Sequence, residues 1–253
     1  MMNIENVTKQ YGEHIVVNNV TLPIEKGKMT TFIGPNGAGK STLLEMVSRL
    51  IPQDTGHIYI DGGEVKSWKK GELAKRLSVL KQTNHMNVRL TVRELVSFGR
   101  FPYTKGRLNE HCHSVINESL SYLGLSDIQS RYIDTLSGGQ LQRTLIAMVL
   151  CQDTDYILLD EPLNNLDMNF GVQMMKTLRR LVDELGKTVI TIVHDINFAA
   201  AYSDNIIAMK DGQIFASGTV DEVVSKEVLD ELYEMDVQIM ENDGIKYCLY
   251  YRN

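Results

Sequence analysis

The sequence predicts an α/β fold, a mostly parallel sheet covered by helices, with an α-helical lobe inserted in the middle of the chain. Three observations predict it. Short apolar runs alternate with amphipathic helical patterns on both sides of residues 84–152. Two of those runs, YILL and VITIV, are apolar apart from Thr191, as suits strands buried on both faces. Between the run MTTFI and a helical pattern lies GPNGAGKST, residues 34–42, so that a strand feeds a helix through a loop rich in glycine. With 253 residues, 43% of them apolar, the chain can bury a sizeable core as one large domain or as a core with a smaller attached lobe.

Taken in order, HIVVNNVTLPI and MTTFI read as strands separated by Glu25, Lys26 and Gly27, and STLLEMVSRL as a helix stopped by Pro52. HIYIDGGEV is a strand that turns at Asp61, Gly62 and Gly63, and LSVLKQ is another strand. From about residue 84 to 152 the pattern turns helical: Thr91 and Glu94 have capping-box spacing, a helix is expected over Asn109 to Leu123, and TLIAMVLC is apolar on all sides. The alternation then returns with DYILLD and a helix carrying Val172, Met175, Leu178, Leu181, Val182 and Leu185 on one face up to Gly186. KTVITIV, a short helix and NIIAMK follow. Thr219 and Glu222 form another capping-box pair before a helix, and Asn242, Asp243 and Gly244 set a hairpin between VQIM and IKYCLYY. These patterns divide the chain into a core at 1–83 and 153–220, a helical lobe at 84–152 and a C-terminal helix and hairpin at 221–253. There is no internal repeat and no low-complexity tract.

Composition excludes several classes of function. A formal net charge of −6 argues against binding nucleic acid through bulk electrostatics. The N-terminus, MMNIENVTKQ, lacks a signal pattern and no apolar run reaches eighteen residues, so the chain is expected on the cytosolic side. Cys112, Cys151 and Cys248 lie far apart without C-x-x-C spacing, which fits reduced thiols. His111, Cys112 and His113 are consecutive on a helix, point in different directions and cannot converge on one ion.

The chemistry is carried by GPNGAGKST: Gly34, Pro35, Asn36, Gly37, Ala38, Gly39, Lys40, Ser41 and Thr42. In the pattern G-x-x-x-x-G-K-[ST], backbone N–H groups wrap phosphates, the lysine reaches the β and γ oxygens, and the hydroxyl of the next residue holds Mg²⁺. A nucleotide triphosphatase also needs a carboxylate on a neighbouring strand to hold the metal, and YILLDE supplies Asp160. Glu161 beside it has the place of a general base, although the pair also reads as a polar strand terminus. His194 ends VITIV within plausible reach of a terminal phosphate, yet a lone histidine at a strand end is more often a surface residue. Gln82, ending LSVLK, can coordinate the metal or orient water. The stretch LSGGQLQR, residues 136–143, either only caps a helix through Ser137, Gly138 and Gly139 or binds a phosphate beyond reach of the first loop.

In this order, KQYG, GPNGAGKST, LKQ, LSGGQLQR, YILLDEP, NNLD and IVHD resemble the nucleotide-binding subunit of an ABC transporter over about residues 1–220. The resemblance implies a RecA-like P-loop NTPase core, an antiparallel N-terminal β part and the inserted α-helical lobe, with ATP and Mg²⁺ as ligands. It assigns Tyr11 to stacking on adenine, with ordinary turn packing as the other reading. It implies a head-to-tail homodimer in which Ser137, Gly138, Gly139 and Gln140 bind the γ-phosphate of ATP held by the other chain's Lys40. NNLD, with Asp167, resembles the segment that crosses between the two sites, and Asn164 stands where family members often carry Ser or Thr. SFGRFPYTKGRL, residues 97–108, resembles the ATPases of bacterial iron–siderophore importers of the petrobactin or catecholate type. That likeness implies integral-membrane permease partners, an extracytoplasmic siderophore-binding protein acting indirectly, and a peripheral place on the cytoplasmic side of the membrane. Phe98, Phe101 and Tyr103 then belong either to an apolar dock for the permease or to the core of the lobe. A soluble ABC-type ATPase of translation or DNA repair is the main alternative; a P-loop kinase would leave LSGGQ idle.

Overall fold

The computed structural model describes residues 1–81, 88–104, 106–164 and 166–250. Gln82, expected at the end of LSVLK, lies outside the described residues, as does Asn165 of NNLD. The chain divides into two compact units, Met1–Trp68 with Leu178–Asn253, and Lys69–Thr177.

The first unit opens with β1 (Met2–Tyr11) and β2 (His14–Ile24), joined antiparallel through a turn at Gly12, where φ is 59°. β3 (Met29–Ile33), expected as a strand, is buried at every position, with a parallel neighbour on each side. α1 (Lys40–Val47) stops short of the expected Leu50 because the Ser48 hydroxyl donates back to the Leu44 carbonyl at 2.8 Å and Arg49 takes left-handed backbone at φ 56°. β4 (Thr55–Ile60) pairs antiparallel with β1 and, across Asp61 and Gly62, with β5 (Gly63–Glu64), which gives an antiparallel sheet in the order β2-β1-β4-β5. β1 is a strand that the hydropathy pattern does not reveal. Its buried residues Met2, Ile4, Val7 and Lys9 break the period of two because the register shifts between Ile4 and Val7, next to Asn6 at φ 51°.

The second unit contains α2 (Lys70–Leu73), β6 (Leu77–Leu80), α3 (Val92–Ser97), α4 (Phe101–Thr104), α5 (Glu110–Tyr122), α6 (Gly138–Cys151), β7 (Tyr156–Asp160) and the first half of α7 (Met168–Asp183). β6 and β7 run parallel from the Leu77–Tyr156 pair to Leu80–Leu159. The capping box at α3 is as the spacing predicts: the Thr91 hydroxyl accepts from the Glu94 N–H at 3.2 Å, and the Glu94 carboxylate accepts from the Thr91 N–H at 2.7 Å. Thr144 to Ala147 of α6 are all buried. On α5, Cys112 is buried while His111 and His113 face solvent. Met175, Leu178, Leu181 and Val182 of α7 are buried as its apolar face predicts, joined by Met174. Leu185 departs from that expectation: the helix ends at Asp183 and Leu185 is 44% exposed, because Gly186 at φ 62° turns the chain and its N–H closes on the Val182 carbonyl.

The first unit is completed by β8 (Thr188–Ile192), α8 (Ile196–Tyr202), β9 (Asn205–Lys210), β10 (Gln213–Thr219), α9 (Val220–Val223), α10 (Lys226–Tyr233), β11 (Gln238–Asn242) and β12 (Ile245–Leu249). β3 lies between β8 and β9, parallel to both, and β10 adds antiparallel to β9. The hairpin β11–β12 turns at Asp243 (φ 51°) and Gly244 (φ 74°), the two positive φ values of the tight turn that the sequence predicts. Among the described residues, no helix is long and apolar enough to cross a membrane.

Candidate functional site

In the first unit the glycine loop joins β3 to α1. Gly34, Gly37 and Gly39 all have positive φ, at 134°, 81° and 94°, but for different reasons. A Cβ on Gly34 would overlap the Met209 carbonyl oxygen of β9, and one on Gly39 would lie 2.5 Å from the Val16 carbonyl of β2. A Cβ on Gly37 would meet nothing within 4 Å, so that side of the loop is open, and Asn36 and Gly37 are exposed there. The loop is thus pinned at its two ends and accessible in its middle. α1 begins at Lys40 with Gly39 as N-cap; it has no capping side chain and no acidic residue in its first turn. Its N-terminal partial positive charge is therefore left for an anion from outside. Lys40 is 6% exposed, and its ammonium donates to the Gly34 carbonyl at 2.7 Å and the Pro35 carbonyl at 2.9 Å, beneath the loop. Ala38 is buried against the loop, and Ser41 and Thr42 are half-buried in the first turn.

β8 leaves the sheet beside this loop. Phe32 pairs with Ile192, and two residues further on the chains reach Gly34 and His194, both at the carboxyl ends of neighbouring parallel strands. His194 is exposed, and Asp195 behind it caps α8 by accepting from the Asn197 N–H at 2.8 Å. Tyr11, at the end of β1, is 53% exposed with the Lys9 ammonium 5.2 Å from its ring centre.

In the second unit Asp160 closes β7 with 6% exposure. Glu161 follows on left-handed backbone, φ 51°, a conformation that costs a non-glycine residue on the order of 1–2 kcal/mol. The Asn164 amide donates to its carboxylate. Asp167 is exposed and accepts from the Phe170 N–H at 2.9 Å, which caps the start of α7. Ser137 caps α6 in a reciprocal box: its hydroxyl accepts from the Gln140 N–H at 3.3 Å, and the Gln140 side chain accepts from the Ser137 N–H at 3.1 Å. Gly139 has a packing reason to be glycine, since a Cβ there would lie 2.7 Å from the Phe170 ring. Capping is therefore real at LSGGQ, and it leaves Ser137 and Gly138 exposed.

In the first unit the glycine loop and His194 stand at the ends of neighbouring parallel strands, and in the second Asp160 and Glu161 are consecutive at the end of β7. The Gln142 side chain ties α6 to the Glu161 turn by donating to the Pro162 carbonyl at 2.8 Å. Gln142, Asn164 and Phe170 are contacts that sequence reasoning leaves unassigned. The only signal for Gln142 is its position inside LSGGQLQR. In the lobe, Phe98 and Phe101 are 52% and 61% exposed, so neither is core. Tyr103 is instead held, its ring 4.0 Å from the Arg100 guanidinium centre, and burial pushes its phenol up from the ordinary value.

A family model for the ABC transporter matches residues 17–164. A petrobactin import ATP-binding protein of Bacillus subtilis (strain 168) is 55% identical over 251 residues, covering 99% of this chain and 100% of the relative. A second petrobactin import ATP-binding protein, of Bacillus anthracis, is 51% identical over 240 residues, 95% of this chain and 96% of its own. A solved dimeric ATP-binding cassette, in a post-hydrolysis state with ADP and phosphate bound, superposes with a TM-score of 0.76 at 32% identity, over 87% of this chain and 99% of that one.

Proposed function

Because the chain belongs to the ABC transporter ATP-binding family, we propose that it hydrolyses ATP to drive uptake of a ferric siderophore, of the petrobactin or catecholate type, through a membrane permease. It is an ATPase of the P-loop fold, with a mixed sheet of parallel strands, an antiparallel N-terminal sheet and covering helices. The observation that carries the reading is the glycine loop pinned at Gly34 and Gly39, open at Gly37, with Lys40 buried beneath it and α1 starting without an acidic cap.

Each residue has a role on this reading. Backbone N–H groups from Asn36 to Thr42 and the Lys40 ammonium hold the β- and γ-phosphates, and the exposed Tyr11 ring stacks on adenine, a contact typically worth about 1–3 kcal/mol. Glu161 takes a proton from water as that water's oxygen bonds to the γ-phosphorus; the bond from the same phosphorus to the β–γ bridging oxygen breaks, leaving ADP and phosphate. His194 donates to the γ-phosphate. The Ser41 hydroxyl, the Asp160 carboxylate and the Gln82 amide are hard oxygen donors of the kind that Mg²⁺ takes, and Asp160 is a carboxylate shielded from bulk water, where a cation is favoured. Mg²⁺, when bound, neutralises charge that builds on the phosphate oxygens.

Ser137, Gly138, Gly139 and Gln140 receive the γ-phosphate of a second copy, with Asp167 in the segment between the two sites; the dimeric form of the solved cassette supports this. Phe98 and Phe101, exposed on the lobe, suit docking on a permease, which holds the chain at the cytoplasmic face of the membrane. The petrobactin importers among its relatives support the cargo. The test is genetic: deletion of the gene abolishes growth on one ferric siderophore under iron limitation and spares growth on free iron salts. Unchanged uptake of every iron chelate, together with failure of a sugar or peptide to enter, overturns the cargo.

A further inference from the structure

The C-terminal segment, which the motifs leave without a role, reaches into the glycine loop. The N–H of Gly34 donates to the Tyr233 hydroxyl at 3.1 Å, across 199 residues of sequence. The carbonyl of the same Gly34 accepts from the Lys40 ammonium at 2.7 Å. One residue therefore links the phenol on α10 to the lysine of the phosphate loop. The phenol is largely buried, and burial pushes its pKa up to about 12, so it stays protonated and neutral.

Its position is fixed from both sides. Lys210, directly after the Met209 carbonyl that crowds Gly34, donates to the Glu231 carbonyl at 2.7 Å and to the Glu234 carboxylate at 2.9 Å, which locks the end of α10 onto β9. The hairpin behind it is held by Asn197, in the first turn of α8: its amide oxygen accepts from the Cys248 N–H at 2.7 Å and its amide nitrogen donates to the Cys248 carbonyl at 3.2 Å. The C-terminal helix and hairpin thus grip the glycine loop at its first residue and α8 at Asn197, three residues on from His194.

We infer that Tyr233 is a positioning residue for the phosphate loop, fixing the Gly34 peptide so that the loop is already shaped for a nucleoside triphosphate. The inference rests on the reading of residues 34–42 as the ATP site. A loop anchored this way does not pay its ordering entropy when the phosphates arrive. The Gly34 N–H is engaged with the protein, so the phosphates are left to the N–H groups further along the loop and at α1.

The experiment uses the full chain and MgATP, with wild type and Tyr233→Phe side by side. Phenylalanine keeps the buried ring and removes only the acceptor. Affinity for MgATP, measured by calorimetry, is expected to weaken about 3- to 10-fold, the effect of one lost hydrogen bond. In the assembled transporter KM for ATP rises by the same factor while kcat holds, because Tyr233 acts through the Gly34 peptide. A loss of thermal stability with unchanged affinity and unchanged KM makes the contact structural only and overturns the inference, leaving the ATP site standing. A wild-type chain that fails to bind MgATP overturns the site assignment, and the inference with it.

Discussion

Glu161 joins a strained backbone to a tethered side chain. Its left-handed φ of 51° directs it away from the line of β7, and the Asn164 amide holds its carboxylate. If Glu161 is the base, Glu161→Gln preserves size and removes the proton acceptor. Turnover with the permease present should then fall by about 10²- to 10⁴-fold while ATP binding stays intact; near-normal turnover removes Glu161 from the role. The residues of this neighbourhood differ in how far the sequence reveals them. Lys40, Ser41, Asp160 and Glu161 are legible as candidates because local chain geometry fixes their place: a loop between strand and helix, or the last residues of an apolar strand. Gln142, Phe170 and Tyr233 are not, because their partners come from tertiary approach, 199 residues away in the case of Tyr233. No periodicity encodes such a meeting.

Among the elements, those with clean periodicity or a capping signature are the ones the sequence announces. α3, α6 and α9 are capped by the expected Thr91, Ser137 and Thr219, and β7 and β8 are the expected fully buried runs. β1 and β10 are lost because register shifts, at Ile4/Val7 and Ile214/Ala216, disrupt the alternation on which strand recognition depends. α6 offers a test of the two purposes that LSGGQ can have. Ser137→Ala removes the cap at a cost of about 1 kcal/mol, and the melting temperature should drop by roughly 2–4 °C. Ser137→Asp, itself a good N-cap, should restore the melting temperature yet abolish ATP-driven dimerisation, since it sets a negative charge against the partner's γ-phosphate. If the aspartate variant dimerises normally with ATP, the loop is a cap and nothing more.

For the whole molecule, the sequence conveys the class of fold and the order of the motifs, because both are written in local patterns. It does not convey where the chain divides into units, at Trp68/Lys69 and within α7, because that follows from the density of contacts after folding. The shared-site arrangement is itself testable at this scale. One chain carries Lys40→Ala and the other Ser137→Arg, both with Glu161→Gln to prevent hydrolysis. Each homodimer has two damaged sites. In the mixed dimer a head-to-tail arrangement collects both lesions in one site and leaves the other whole, so ATP-driven dimerisation, measured by size-exclusion chromatography, should partly recover on mixing. No recovery in verified mixed dimers means that both loops of one chain serve the same ATP.

All three cysteines are buried, and burial pushes the thiols of Cys151 and Cys248 up to about 11. At neutral pH those two are almost wholly in the thiol form, whereas the thiolate is the species that alkylates and exchanges. The native chain is thus a quiet background for thiol chemistry. A cysteine introduced at an exposed position such as Asn36, on the open side of the glycine loop, stands out against it as a single reactive handle, and a fluorophore or spin label there follows nucleotide arrival without first stripping the protein of its own sulfur.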